Sequence, residues 1–481
     1  MLPSKSVRPI TWLLLIAAFA LVWKLGGGSL AAWDEAIYAQ VSKEMVQGGD
    51  WLTLHWEYKN WFEKPPLFMW ITAIFYRLFG VSEFSARIAS ALSGIALVGV
   101  TYLVGKSIDS KRVGLLSAVV LLTCYHFLSF SRFGTMEVML TLFVYLAVYS
   151  YLRVRDGDQR WWYSVWISCA LALMVKGVGG VIAPAAILLA TVADKRIVVR
   201  SRHFWLGCWL ALLIVAPWHV LMWIRYGSAF TDEYIGYHVV ARATSTLEGN
   251  ASSFFYYVAK LVDGFFPWCL LVPFAVLSAI RKKLKGETGS WILLLLGGLV
   301  FVLYTVIPTR RPWYIVPLYP ALAILVATFV VNLYQTRPAY RRIIAITSAV
   351  LVIAGGSYSF LSLYLNQKQE APVAKLARLA QSTTVNDRDM LILFAETEHF
   401  YAQEPLFYSN RPVRQAYETT RPASDDAARY VSYEKLADLL QDSEKRIILH
   451  RDDVQRLSPN YLVQVLAEAD SLVYATIKRK S

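Results

Sequence analysis

About eleven apolar stretches, each long enough or nearly long enough to cross a bilayer as a helix, recur near residues 9–26, 84–105, 113–131, 134–153, 161–176, 177–193, 204–224, 257–280, 290–307, 312–334 and 342–364. Lipid offers no partner to a bare peptide group, so such runs must close their own hydrogen bonds as helices. The chain is therefore read as an all-α polytopic membrane domain of about 11–13 transmembrane helices. The count is least certain at 161–193. Hydrophobic residues make up 56% of the chain and charged ones 17%, which excludes an ordinary water-soluble globule.

Between alternate stretches lie basic clusters: Lys106, Lys111 and Arg112; Arg153, Arg155 and Arg160; Lys195, Arg196, Arg200 and Arg202; Arg281, Lys282, Lys283 and Lys285; Arg337, Arg341 and Arg342. The positive-inside rule makes those sides, and the N-terminus, cytoplasmic. The net charge of +14 then reads as topology and not as a nucleic-acid surface. Four cysteines, all inside apolar stretches and without CxxC spacing, suggest neither a disulfide framework nor a thiolate metal site. Lys5 and Arg8 ahead of the first stretch, with Ser29-Leu30-Ala31-Ala32 after it, imitate a signal peptide. An uncleaved first helix fits better, because Asp34 and Glu35 directly beyond it look functional.

Two outward connections are long, residues 27–83 and 225–256. The first carries amphipathic patterns at Ala36–Val46 and Leu67–Phe79, each suited to a helix lying in the interface plane. Two domains are expected, a membrane domain over 1–365 and a small extracytoplasmic α/β domain over 366–481. The latter should hold strands at Met390–Phe394, Arg446–His450 and Leu472–Ile477, and a helix near Tyr433–Leu440.

Ionisable residues that topology does not demand gather on the outward side: Asp34, Glu35, Glu63, Lys64, Arg132, Glu137, Lys176, Asp232, Glu233, His238, Arg242, Arg310 and Arg311. A charge at membrane depth costs about 2.5–3.5 kcal/mol, so a convergent set implies pairing or a wet site. Any one of them has a plainer reading. Asp34 and Glu35 suit the cap and first turn of the following helix, Lys176 a snorkelling cation, and Arg310-Arg311 an interfacial anchor.

The sharpest motifs are Asp34-Glu35 with Tyr38-Ala39, Lys43-Glu44-Met45, Gly49-Asp50-Trp51, Phe62-Glu63-Lys64-Pro65-Pro66, Arg87, Lys176-Gly177, Tyr237-His238 with Arg242, Phe266-Pro267-Trp268, and Arg311-Pro312-Trp313-Tyr314 running on to Pro320. In these, in this order, the chain resembles the bacterial lipid A aminoarabinose transferases and their relatives in the protein O-mannosyltransferase superfamily, which have the GT-C fold. The resemblance implies a glycosyltransferase that moves a sugar from a polyprenyl-phosphate carrier to a lipid, protein or glycan acceptor on the outer face, with inversion. It makes Asp34 the central catalytic carboxylate, accompanied by Glu35 and by Glu137, which stands where relatives carry an aspartate. It gives Lys64, Lys176, Arg310 and Arg311 the donor phosphate. Glu63 and His238 match positions implicated in metal binding, and a carboxylate with an imidazole suits zinc or another divalent ion. The competing class is a transporter or flippase of a lipid-linked sugar. Such a protein should show midplane charges and repeat symmetry, whereas here the charges gather at one face.

Overall fold

The computed structural model describes residues 9–194, 201–241, 253, 255–284, 289–308, 310–365, 370–382, 391–394, 403–417, 433–435 and 444–480. The protein is a multi-pass membrane protein with a small sheet region at its C-terminal end. Among the described residues six helical runs are long and apolar enough to cross a membrane, or eight if each of two bent pairs is one span. This is fewer than the expected 11–13, although every apolar stretch is helical. Four spans coincide with expected ones: α4 (Glu83–Ile108), α7 (Glu137–Arg155), α10 (Arg202–Tyr226) and α14 (Leu318–Thr336). A fifth, Pro338–Leu365, contains α15 (Arg341–Phe360).

The difference lies in breaks and in short helices. α1 (Pro9–Val22) and α13 (Trp291–Val306) have only 14 and 16 residues. α5 (Lys111–Leu122) and α6 (Tyr125–Arg132) meet at 66°, and α11 (Tyr256–Gly264) meets the helical run Trp268–Leu284, which ends in α12 (Val272–Leu284), at 117°. Residues 161–193 count as one helical run, α8 (Trp161–Lys176) and α9 (Ile182–Ala193) joined by a 3₁₀ turn. The chain nevertheless folds back there. A β-carbon on Gly180 would lie 2.3 Å from the Ala172 carbonyl oxygen, whereas a straight helix separates those positions by about 12 Å. Gly177, at φ +53°, makes the turn.

The first outward connection holds α2 (Asp34–Gly48), a hairpin of β1 (His55–Trp56) and β2 (Lys59–Asn60), and α3 (Leu67–Phe79). α3 follows Pro66 directly and is strongly amphipathic, as expected. α2 is not an interfacial helix with one wet face. Its residues from Glu35 to Met45 are buried all round, including Lys43 and Glu44, because a second layer closes over it.

That layer is the C-terminal region. β3 (Leu391–Phe394), β4 (Val413–Tyr417), β5 (Tyr433–Lys435), β6 (Lys445–His450), β7 (Tyr461–Ala469) and β8 (Leu472–Arg479) form one sheet in the order β5-β4-β3-β6-β8-β7. The first four strands in that order pair in parallel, and β8 and then the edge strand β7 add antiparallel. Tyr433–Lys435, expected to begin a helix, is an edge strand beside β4, and residues 436–440 lie outside the described ones. Among the described residues three helices flank the sheet, α16 (Pro372–Ser382), α17 (Gln403–Ser409) and α18 (Arg451–Leu457), and α17 sits on α2. Lys43 donates to the Phe407 carbonyl and its ammonium lies 4.9 Å from the Phe407 ring.

Candidate active site

α2 begins without a side-chain cap. The residue before it is Trp33, at φ +69°, and no side-chain capping bond forms there. Asp34 is thus the first helical residue instead of the cap its type suggested, and it lines a cavity of about 640 Å³. Around that cavity stand Glu35, Glu63, Lys64, Lys176 and Arg311, with Trp33, Tyr38, Tyr234, Tyr304, Trp313 and Tyr314 supplying aromatic walls. Seven elements or turns far apart in sequence meet here.

Glu35 is bound to structure on every side. Arg87, one turn into α4, reaches it through Nε at 2.8 Å and through Nη2 at 3.2 Å. The backbone N–H groups of Ala31 and Gly134 donate to it at 2.6 and 2.8 Å. Arg87 also donates to the carbonyls of Leu25, Gly27, Gly28 and Ser29. A carboxylate so occupied holds the loops before α2 and α7 together, which is a positioning task.

Glu137, at the start of α7, is buried and is not among the residues lining the cavity. Lys176 stands between them, its ammonium 2.8 Å from Glu137 Oε1 and 5.0 Å from the Tyr314 ring. The Lys176 charge faces the cavity and Glu137 backs it. The Tyr304 and Tyr314 rings lie 4.9 Å apart. Lys64 Nζ is 3.7 Å from Glu63 Oε2. Arg311 sits before a 3₁₀ turn begun by Pro312, its backbone N–H and C=O both at 3.2 Å from the Tyr257 hydroxyl.

Two expected cations, Arg310 and Arg132, serve nearby carbonyls. Arg310 donates to the Thr305 carbonyl at 2.8 Å and is not among the lining residues. Arg132 caps α1, donating to the carbonyls of Ala20 and Leu21, so its charge serves a helix end. His238 belongs to a π-helical stretch, Asp232–Ala241, but its side chain, like all of Arg242, lies outside the described residues. No group of three or more His, Cys, Asp or Glu able to hold a metal occurs among the described residues. Of the two expected metal ligands, Glu63 has its side chain among the described residues, where it stands beside the Lys64 ammonium.

Sequence reading missed Tyr304, Tyr234, Phe130 and Phe133 as wall residues. Tyr304 carries the one trace of a signal, a phenol near the end of an aliphatic helix. Beside the cavity runs a second, apolar hollow of about 270 Å³ between α3, α8 and α10, lined by Leu67, Trp70, Leu171, Met174, Pro217 and Trp218 among others. Tyr234 stands between the two, its ring 6.3 Å from Trp218 and its hydroxyl 3.0 Å from His219 Nε2.

The chain is similar in sequence and in fold to known proteins. The family described as dolichyl-phosphate-mannose-protein mannosyltransferase matches residues 63–223. The undecaprenyl phosphate-alpha-4-amino-4-deoxy-L-arabinose arabinosyl transferase of Pectobacterium carotovorum is 28% identical over 372 residues, covering 75% of this chain and 66% of its own. The protein of that name from Erwinia tasmaniensis is 29% identical over 327 residues, covering 66% of this chain and 58% of its own. The chain thus spans less than two thirds of the length of these relatives. The crystal structure of ArnT from Cupriavidus metallidurans bound to undecaprenyl phosphate superposes with a TM-score of 0.78 at 19% identity over 97% of both chains. The Archaeoglobus fulgidus oligosaccharyltransferase gives 0.58 at 11% identity, over 92% of this chain and 69% of its own. This chain has the GT-C fold, built as in the ArnT-like glycosyltransferases of polyprenyl-phosphate sugars.

Proposed function

We propose that this protein is a glycosyltransferase that moves a sugar from a polyprenyl-phosphate carrier to an acceptor at the outer face of a cell membrane. One observation carries the reading. Asp34 shares a single aromatic-walled cavity with the cations Lys64, Lys176 and Arg311, and that cavity adjoins an apolar hollow. A carboxylate, a set of phosphate-binding cations and a lipid-compatible groove are the three parts such a transfer requires.

In the proposed step the acceptor hydroxyl gives its proton to Asp34 as its oxygen bonds to the anomeric carbon. The carbon–oxygen bond to the phosphate breaks, and its electron pair leaves with the lipid phosphate. Lys64, Lys176 and Arg311 stabilise the charge that develops there. Glu35 fixes the loop carrying Asp34, and Glu137 backs Lys176. Attack from the side opposite the phosphate inverts the anomeric carbon. The aromatic walls suit sugar faces.

The outward orientation is supported by the helix ends. α4, α7 and α14 begin next to the cavity and finish at the basic clusters of Lys106, Arg153 with Arg155, and Arg337, while α8 runs the other way from Arg160 to Lys176. If basic ends are cytoplasmic, the cavity and the C-terminal sheet open outside. Lipid, protein and glycan acceptors all fit the proposal.

Liposomes holding the purified protein, labelled polyprenyl-phosphate sugars and a panel of acceptors provide the test. Acceptor-dependent loss of label from the carrier is expected, and Asp34→Asn should lower it by a factor of about 10² or more while carrier binding persists. Label that crosses the bilayer still attached to its carrier, equally in both proteins, would establish a flippase instead.

A further inference from the structure

The loop from Leu25 to Trp33 delivers Asp34 to the cavity, and its backbone is held from two sides. On the membrane side Arg87 and Glu35 hold it, as described above. On the other side the C-terminal region holds it through the Tyr408 hydroxyl of α17, which accepts the Leu30 N–H at 2.7 Å and donates to Glu83 Oε1 at 3.0 Å. Leu30 is fully buried, so that hydroxyl replaces water as the partner of its N–H. Arg378 of α16 ion-pairs with the same Glu83 and lies over the Tyr408 ring, 4.3 Å from its centre. Next to this contact the Ala371 N–H donates to the Ser29 hydroxyl at 3.1 Å.

Glu83 and Arg87 are four residues apart on α4 and share a face. Arg87 grips the loop directly, and Glu83 grips it through Tyr408. The loop is thereby clamped between a membrane helix and the C-terminal region, four residues before Asp34. Trp33 keeps its left-handed backbone at the end of that clamped segment.

We infer that Tyr408 is a positioning residue for Asp34, so that docking of the C-terminal region sets the geometry of the catalytic loop. The inference rests on the proposed transferase reading. Tyr408 touches neither donor nor acceptor; it acts through Leu30 and the turn of chain that follows.

Reconstituted full-length protein gives the test. Tyr408→Phe keeps the ring stacked under Arg378 and removes only the hydroxyl. It should lower kcat about tenfold, the value of one well-aligned hydrogen bond, and leave the donor KM within about twofold. Gln47→Ala removes another contact of the same interface, the 3.0 Å bond to Asn410, and should keep the wild-type kcat. In an Asp34→Glu background the Tyr408→Phe effect should be less than multiplicative, since both changes displace one carboxylate. Wild-type kcat in Tyr408→Phe would overturn the inference. Equal losses in Tyr408→Phe and Gln47→Ala, following their melting temperatures, would also overturn it by showing an ordinary docking contact. If Tyr408→Phe does not fold, Ser29→Ala removes the neighbouring tether, and an unchanged kcat there overturns the inference in its place. Full transfer by Asp34→Asn would instead bring down the catalytic reading on which it stands.

Discussion

Glu137 and Lys176 show how far a residue's type leaves its role open. Both were expected in the site as separate charges, one catalytic and one phosphate-binding. In the fold they form one buried pair, 2.8 Å apart, with only the cation facing the cavity. Removing one member of such a pair strands the other in a low-dielectric setting. Glu137→Gln is expected to cost about 3–5 kcal/mol of stability, and the double variant Glu137→Gln with Lys176→Met should recover much of that loss. Both should lack transfer activity. Thermal unfolding in detergent alongside a label-release assay separates the two effects, and a double variant no more stable than the single one would show that the pair is not the cause. Glu35 offers the complementary lesson. Adjacent to Asp34 and of the same charge, it faces Arg87 and two backbone amides, because successive helical residues point about 100° apart.

At the level of elements, the break between α8 and α9 matters most to the site, because it ends α8 at Lys176. Gly177 supplies the turn, and Gly180 lets the returning chain rest on the backbone of Ala172 and Leu173. A methyl at Gly180 would meet those atoms at 2.3–2.6 Å, and backbone cannot move aside as a flexible side chain does. Gly180→Ala should therefore cost about 1–3 kcal/mol and shift Lys176, lowering kcat. Gly298→Ala, in α13 with nothing within 4 Å of its β-carbon, should be neutral. Equal melting temperatures for the two variants would contradict the close approach. The sequence reading divided residues 161–193 between Lys176 and Gly177, where the structure turns, but hydropathy alone left that division the least certain of the set.

Across the whole molecule, the seam between the C-terminal sheet and the first outward connection is charged and buried, and its stability must vary with pH. Burial raises Glu57 to about 7, outweighing the attraction of Arg414 at 3.8 Å. Burial likewise lowers Lys43 to about 8, against the pull of Glu44. From the ordinary carboxylate value of 4.5 to about 7, the folded chain holds a proton on Glu57 that the unfolded chain has lost, so stability falls as pH rises through that window. From about 8 to 10.5 the unfolded chain holds a proton on Lys43 that the folded chain has lost, so stability rises again. The seam is expected to be weakest between about pH 7 and 8. Glu57→Gln should flatten the acid limb, read as the difference in melting temperature from the wild type between pH 4.5 and 7. An unchanged slope would mean that Glu57 is not the group responsible.

What the sequence by itself determined is the solvent, the fold class and most of the charged residues that line the cavity. Apolar runs of helical length admit one way to satisfy a backbone in lipid, and charges that such runs should not contain mark where water or substrate must enter. Asp34, Glu63, Lys64, Lys176 and Arg311 were all legible on those terms, as were three strands of the C-terminal sheet. Only the tertiary structure decided which of these side chains face the cavity, which back another group and which, like Arg132 and Arg310, serve a nearby carbonyl. It also decided that α2 is enclosed and that Tyr408, 378 residues after Leu30 in the chain, completes the loop carrying Asp34. Periodicity and local propensity act over one or two helical turns, whereas these outcomes depend on contacts between segments whose separation along the chain carries no local signal.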